Sequence, residues 1–213
     1  MLILGAGGHS KEVLEVLTQC NLLNMLFFYE DMQHKKDNSN SLMYNNYKII
    51  RDLKTVSEII KLDNYFVVGV GNPKLRSDFT DRMSKIGGVV FGLRSPQAYI
   101  SNFDVVLGEG VDIMHGAFIS NSVQIEQGTL INRFANISHD VQIGRYCEIS
   151  PQANILGGAV IGNYCSIGAS AVILPKIRVG ANSIVGAGAV VVKNVEENTV
   201  VAGNPAKIIN KKL

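Results

Sequence analysis

Along the second half of the chain an aliphatic residue recurs every six positions without a break. The series runs Leu107, Ile113, Ile119, Ile125, Ile131, Ile137, Ile143, Ile149, Ile155, Ile161, Ile167, Ile173, Val179, Val185, Val191. Four residues after each stands a small or β-branched residue, among them Ala117, Thr129, Ala135, Cys147, Ala153, Cys165 and Ala189. A helix repeats every 3.6 residues and a strand every two, so neither element alone accounts for a period of six. Hexapeptide repeats are the mark of a parallel β-helix. Three hexads make one triangular coil of eighteen residues, and the fifteen hexads of this chain make five coils. The aliphatic and the small residue both point into the prism, which is expected to span roughly residues 98–193.

The rest of the composition narrows the function classes. Hydrophobic residues make up 46% of the 213-residue chain and charged ones 18%, enough apolar content for a sizeable core. Net charge is +2 and basic residues cluster only at Lys35-Lys36 and Lys211-Lys212, so nucleic acid is not an expected partner. No apolar run reaches the ~18 residues of a membrane span. The chain opens directly on a strand pattern, so no signal peptide is expected and a cytoplasmic setting fits. The three cysteines form no CxxC motif. Cys147 and Cys165 lie eighteen apart, at inward positions of successive coils, which reads as a pair of stacked core thiols.

Before residue 95 the pattern is α/β, so two domains are expected: 1–95 Rossmann-like, and 96–213 β-helical with a C-terminal cap over Asn198–Leu213. Met1–Leu4 reads as a strand, Gly5-Ala6-Gly7-Gly8-His9-Ser10 as a glycine-rich turn, and Lys11–Thr18 as a helix with Ser10 as its N-cap. Leu26–Tyr29, Tyr65–Val70 and Val89–Leu93 read as further strands. Thr55–Lys61 and Asn72–Lys85 read as helices, the second with Pro73 in its first turn. Asp31–Tyr47 is polar and reads as a loop. This alternation argues a small parallel sheet. The glycine-rich turn would aim backbone N–H groups and a helix N-terminus at an anion, and Glu30 or Asp31 follows the second strand where such sheets meet a ribose. A tight turn that merely links strand to helix is the alternative. An ordinary NAD site is disfavoured, because the α/β portion lacks a second mononucleotide-binding half.

Chemistry on the prism belongs to its corners. His139 falls at such a corner, between Asn121 and Gly157 in the eighteen-residue column, and Asp140 follows it directly. An imidazole beside a carboxylate suits a general base, and Gly157-Gly158 leave the neighbouring coil without side chains. A solvated turn histidine is the alternative reading. His115 belongs to another corner, whose column runs His115, Arg133, Pro151, Ala169, Ala187 and loses bulk toward the C-terminus. A long thin ligand could lie over the two alanines, while His115 itself reads as a surface residue. No metal constellation and no nucleophile elbow is visible.

Together, Gly5-Ala6-Gly7-Gly8-His9, Ile137-Ser138-His139-Asp140 with Ile143-Gly144, Ile149-Ser150-Pro151, the hexads and Gly203-Asn204-Pro205-Ala206-Lys207 resemble one group of proteins. These are the bacterial sugar acetyltransferases that join a small α/β domain to a left-handed β-helix. The resemblance covers nearly the whole chain. It implies a homotrimer using acetyl-CoA, and a left-handed coil where physics alone favours right-handed crossovers. It implies that His139 is the base and Asp140 its orienting partner. Gly7, Gly8 and His9 would contact a sugar nucleotide, Glu30 and Asp31 its nucleoside, and Asn132 the acceptor, while Ala169 and Ala187 would contact CoA through their backbone. One departure stands out: Glu148 occupies the place of a histidine that would touch CoA or the acceptor. The functions to be separated are N-acetylation of a nucleotide-linked 4-amino sugar, O-acetylation of a sugar of the sialic acid type, and a non-catalytic sugar-nucleotide-binding scaffold.

Overall fold

The computed structural model describes residues 1–31 and 41–211. Its N-terminal part is a six-stranded sheet. In chain order it comprises β1 (Leu2–Leu4), α1 (Gly8–Gln19), β2 (Phe27–Tyr29), β3 (Leu42–Met43), β4 (Tyr47–Ile50), α2 (Leu53–Leu62), β5 (Tyr65–Val68), α3 (Pro73–Lys85) and β6 (Val89–Val90). The strand order is β3-β4-β2-β1-β5-β6, with every neighbouring pair parallel except β3 with β4. Side chains of a strand alternate between faces, and β1 illustrates it. Ile3 packs on the side of α1, with Val13, Val16 and Leu17, while Leu2 and Leu4 pack on the other side with Val56 and Ile60 of α2 and Phe79 and Met83 of α3.

Several local expectations are revised. The N-cap of α1 is Gly7, with no side-chain cap. Ser10 lies inside the helix, where its hydroxyl donates to the Gly69 carbonyl at 2.9 Å and ties α1 to the end of β5. The expected loop Asp31–Tyr47 falls partly on residues 32–40, outside the described residues. From residue 42 it is a hairpin, in which β3 turns into β4 and β4 extends the sheet beside β2. The last strand of this sheet ends at Val90 instead of Leu93, because the Leu93 N–H turns away to the Asp112 carboxylate at 2.9 Å.

The hexads wind into a triangular prism of three parallel sheets. The first face carries Phe118–Ile119, Asn136–Ile137, Asn154–Ile155, Val172–Ile173 and Val190–Val191, and the second carries Val106–Leu107, Gln124–Ile125, Gln142–Ile143, Val160–Ile161 and Arg178–Val179. The third carries Asp112–Ile113, Leu130–Ile131, Glu148–Ile149, Ser166–Ile167 and Ile184–Val185. Each strand pairs with the one eighteen residues on, such as Ile119 with Ile137 and Ile137 with Ile155. Ile143, Ile149 and Ile155 are 1%, 0% and 0% exposed, as the register demands. Corners turn through one residue in the left-handed region, for example Asp140 at φ 60 and Gln152 at φ 61. That region costs an ordinary side chain roughly 1–2 kcal/mol, and less for Asp or Asn.

The prism is longer than the hexads at both ends. Tyr99–Ile100 pairs with Phe118–Ile119 and opens the first face; its spacing of seven to Leu107 hides it from a six-residue register. At the other end, Thr199–Ala202 continues the third face beside Ile184–Val185 with a coil two residues short, Val185 facing Val201. The expected cap at Asn198–Leu213 therefore starts as one more strand. It then folds back through Gly203-Asn204-Pro205 into the antiparallel strand Lys207–Lys211.

The two parts share a core. Leu93, Met114 and Leu130 of the prism side pack with Met1, Ile3, Val13 and Phe28. Across the same junction, Arg76 of α3 is 1% exposed. Its guanidinium donates to the carbonyls of Val68, Val70 and Gly128 and to Asp112 Oδ2, at 3.1, 3.0, 2.8 and 2.7 Å. Four of the five N–H donors of the planar fork are thereby used, on groups of both parts.

Candidate active site

His139 stands at the corner between the first and second faces. Its carbonyl accepts from the Gly158 N–H, and the Asp140 N–H donates to the Asn121 carbonyl, so backbone bonds hold this corner from both sides. Nδ1 lies 2.7 Å from Asp140 Oδ2. A carboxylate can only accept, so the proton of this bond resides on Nδ1, and in the neutral imidazole Nε2 keeps its lone pair. The room beside His139 is used by the imidazole itself: a Cβ on Gly157 would come within 2.6 Å of Cε1 and 2.7 Å of Nε2. Both side chains of the pair are about two-thirds exposed, 67% and 66%.

The corner between the third and first faces carries the column His115, Arg133, Pro151, Ala169, Ala187, tied by backbone bonds such as Phe134 N–H to His115 O and Gly188 N–H to Ala169 O. Ala169 and Ala187 are exposed. His115 is not the surface residue the sequence suggests. It is half-buried, and its Nε2 is sealed from solvent without a hydrogen-bond partner. It lines a cavity of about 290 Å³ together with Lys11, Glu12, Glu15, Tyr44, Asn132 and Arg133. The sequence missed this because α1 folds over the prism corner, a contact no local pattern records. Asn132 is buried, with its carboxamide oxygen accepting from the Arg133 N–H at 2.8 Å.

The glycine-rich turn lies at the start of α1. A Cβ on Gly7 or Gly8 would meet nothing, so no neighbour in the chain demands glycine there. Gly5 is different: its φ is 114, and a Cβ would strike Val70 and Gly69. The first turn of α1 has neither a side-chain cap nor an acidic residue, which leaves its N–H groups open to an anion. His9 follows with Nδ1 3.1 Å from Glu12 Oε2, and Glu12 Oε1 pairs with Arg133 across the domain junction. Burial, reinforced by the positive charge of Arg76, lowers the His9 pKa to about 4, so its imidazole is neutral at neutral pH. A second cavity, of about 190 Å³, opens beside the turn between Gly5, Ala6, Gly7, Val70, Leu75 and Phe79, with Glu30 and Asp31 on its wall. Glu30 pairs with Arg51 at 2.8 Å and Asp31 with Arg82 at 2.5 Å, so both carboxylates are already engaged by cations.

Glu148 lies on the third face with its carboxylate packed against Gly71; a Cβ there would be 3.1 Å from Oε1. Ser150 is its hydrogen-bond partner, at 3.4 Å. Burial pushes the Glu148 carboxyl above its ordinary range. The structure therefore gathers Gly7, Gly8, His9 and Asn132 around the domain junction and puts Glu148 against the N-terminal domain. It leaves the His139–Asp140 pair on a separate corner.

Residues 1–83 match the family described as PglD N-terminal domain, and residues 122–157 and 158–193 match that of the bacterial transferase hexapeptide. Among curated proteins none matches in sequence. Two similar solved structures span nearly the full chain. PerB from Caulobacter crescentus, in complex with CoA and GDP-perosamine, is 28% identical with a TM-score of 0.87, over 98% of this chain and 96% of its own. The acetyltransferase domain of PglB from Neisseria gonorrhoeae, in complex with acetyl coenzyme A, is 27% identical with a TM-score of 0.88, over 98% of both chains. WeeI from Acinetobacter baumannii, at 24% identity and a TM-score of 0.65, shares the fold. The chain belongs to the acetyl-CoA-dependent sugar acetyltransferases that join a PglD-type N-terminal domain to a left-handed β-helix of hexapeptide repeats.

Proposed function

We propose that this protein moves an acetyl group from acetyl-CoA to the amine of a nucleotide-linked 4-amino sugar. Residues 1–95 hold the nucleotide, with Gly7, Gly8 and His9 at its phosphates and Glu30 and Asp31 lining the nucleoside pocket. Residues 96–213 carry CoA along the Ala169–Ala187 corner. The observation that carries the chemistry is the imidazole of His139, set over Gly157 with Nδ1 directed at Asp140. Its Nε2 takes the proton as the amine attacks the thioester carbonyl. The tetrahedral intermediate then collapses, breaking the C–S bond, and the imidazolium returns its proton to the leaving sulfur, so that CoA departs as the thiol. A backbone N–H at the corner would hold the developing oxyanion. Nothing covalent forms on the protein.

A base two-thirds exposed in one chain needs a second surface to exclude water. A homotrimer supplies it, bringing the His139 corner of one copy to the Ala169–Ala187 corner of the next. The exposed stack of Tyr99 on Phe118, with ring centroids 4.9 Å apart on the first face, supports such association. The cosubstrate belongs to the cytoplasm, and the reaction with it.

The test is acetyl-CoA turnover against a panel of UDP- and GDP-linked amino sugars, with the corresponding hydroxyl sugars and free sialic acid alongside. Turnover on an amino sugar alone supports the reading. Turnover confined to hydroxyl acceptors makes the enzyme an O-acetyltransferase, and none on any acceptor leaves a binding scaffold. His139→Ala is expected to lower kcat by roughly 10²–10⁴ while CoA affinity is kept.

A further inference from the structure

We infer that the cavity between α1 and the third-to-first-face corner receives the glycosyl ring of the acceptor, and that His115 reads that ring. The inference rests on the reading that residues 1–95 hold the nucleotide.

Position comes first. Gly8 opens α1, and Lys11, Glu12 and Glu15 lie on its first two turns. A helix turn rises about 5.4 Å, so a group attached to a diphosphate at the helix start reaches this wall next. The opposite wall is Asn132 and His115, at the head of the corner column that ends in Ala169 and Ala187. The cavity thus lies between the place of the nucleotide and the place of CoA.

Size comes second. Sites for drug-sized ligands run about 300–1,000 Å³. At about 290 Å³ the cavity admits one substituted ring and not a whole sugar nucleotide.

Chemistry comes third. The walls carry two cations, Lys11 and Arg133, and two carboxylates, Glu12 and Glu15, so charge favours neither an anion nor a cation. Asn132 has its oxygen engaged by the Arg133 N–H, which turns its amide N–H₂ into the available donor. Glu15 offers acceptor oxygens, and Tyr44 offers a ring that Lys11 already covers on one side at 5.6 Å. Donors, acceptors and an aromatic edge around a neutral space match a polyhydroxylated ring, whose hydroxyls both give and take hydrogen bonds. Against this stands one unmet demand: His115 Nε2 is buried without a partner. Native structures rarely leave such an atom unpaired, and a sugar hydroxyl would pair it.

The experiment compares binding of UDP with UDP-N-acetylglucosamine and of GDP with GDP-mannose, by calorimetry, to the full-length protein and to His115→Ala and His115→Gln. Thermal midpoints confirm that the variants fold. The expected result is that the glycosyl part adds affinity in the unsubstituted protein. His115→Ala removes about tenfold of that gain, the ordinary worth of one hydrogen bond, and His115→Gln retains part of it. Affinity for the diphosphates alone stays unchanged. In parallel, the His115 ring signals in a ¹⁵N–¹H NMR spectrum move with a sugar nucleotide and not with its diphosphate. A sugar nucleotide that binds no tighter than its diphosphate would overturn the inference, and so would a gain that survives His115→Ala. Equal loss for diphosphate and sugar nucleotide would make His115 a structural residue. No binding of any nucleotide would instead overturn the reading of residues 1–95, and this inference with it.

Discussion

The prism and the α/β layer bury polar groups by different means. Inside the prism the polar atoms are few and close on the prism's own backbone. Thr129 donates to the Gly144 carbonyl at 2.7 Å, and the thiols of Cys147 and Cys165 lie 3.0 and 3.1 Å from the carbonyls of Gly162 and Gly180. Those three bonds share one spacing of fifteen residues, so repetition alone satisfies them. The α/β layer buries Glu30, Asp31 and Arg76, and each needs a partner far away in sequence. A repeating element can be closed by its period. A layer that must hold a ligand and dock on another domain is closed by individual charges.

The comparison breaks first where a charge is forced into the prism. Ile149→Asp buries a carboxylate with no cation in reach and is expected to destabilise by several kcal/mol, about 5 if the coil cannot admit water. Urea unfolding reads the loss, and a loss below about 1 kcal/mol would mean that the interior tolerates charge as the layer does. The reverse experiment removes a charge from the junction. Arg76→Met strands Asp112, 2% exposed at its side chain, and should cost about 3–5 kcal/mol. Adding Asp112→Leu should recover a large part of it, since a buried pair replaced whole is often neutral.

Acid sharpens the contrast, because two groups that titrate on the acid side and are held away from their ordinary behaviour are His9 in the layer and Glu148 at its junction. His9 titrates near pH 4 when folded and near 6.5 when unfolded. Above 6.5 both states are neutral there. Between 6.5 and 4 the unfolded chain gains a proton that the folded one refuses, so stability falls as pH falls, by about 3 kcal/mol in all. Glu148 works in the opposite sense: its carboxyl is raised by burial, so its share is lost as pH rises through its folded value. Unfolding free energies of the natural protein and His9→Asn across this range should converge in acid by the His9 share. Parallel curves would show that His9 carries none of it.

The smallest expected effect is Gly157→Ala. The backbone there needs no glycine, but the new methyl would meet the His139 ring at 2.6 Å. We expect the fold to remain, with a thermal midpoint shift of a few degrees, and kcat to fall about tenfold as the imidazole is pushed aside. An unchanged kcat would mean that the ring's place over Gly157 is irrelevant to the reaction.

How much of this was legible in the sequence follows the same divide. The prism register, the inward residues and the His139–Asp140 corner all follow from a spacing of six and need no knowledge of distant contacts. Tyr99–Ile100 falls inside the span of 98–193 expected for the prism, but a spacing of seven before Leu107 keeps it out of the hexad series. The β3–β4 hairpin was lost because its strands are two and four residues long, in a polar stretch. Ser10 carries a strong N-cap signature, yet a bond to Gly69, fifty-nine residues away, decides its place. His115 was misplaced for the same reason: what buries it is α1, over a hundred residues earlier. Local pattern reads what a segment does with itself and is blind to what another domain lays on top.

Arg76 has one more consequence. Its four bonds seize the backbone on both sides of Gly69, next to the glycine-rich turn, and at the same time seize Gly128 and Asp112 of the prism. The turn and the corner column are therefore braced through one buried side chain, like the jaws of a calliper set to one width. On the proposed function, acceptors would then be sorted by length: a ring set one bond too near or too far from its diphosphate would bind and never be acylated.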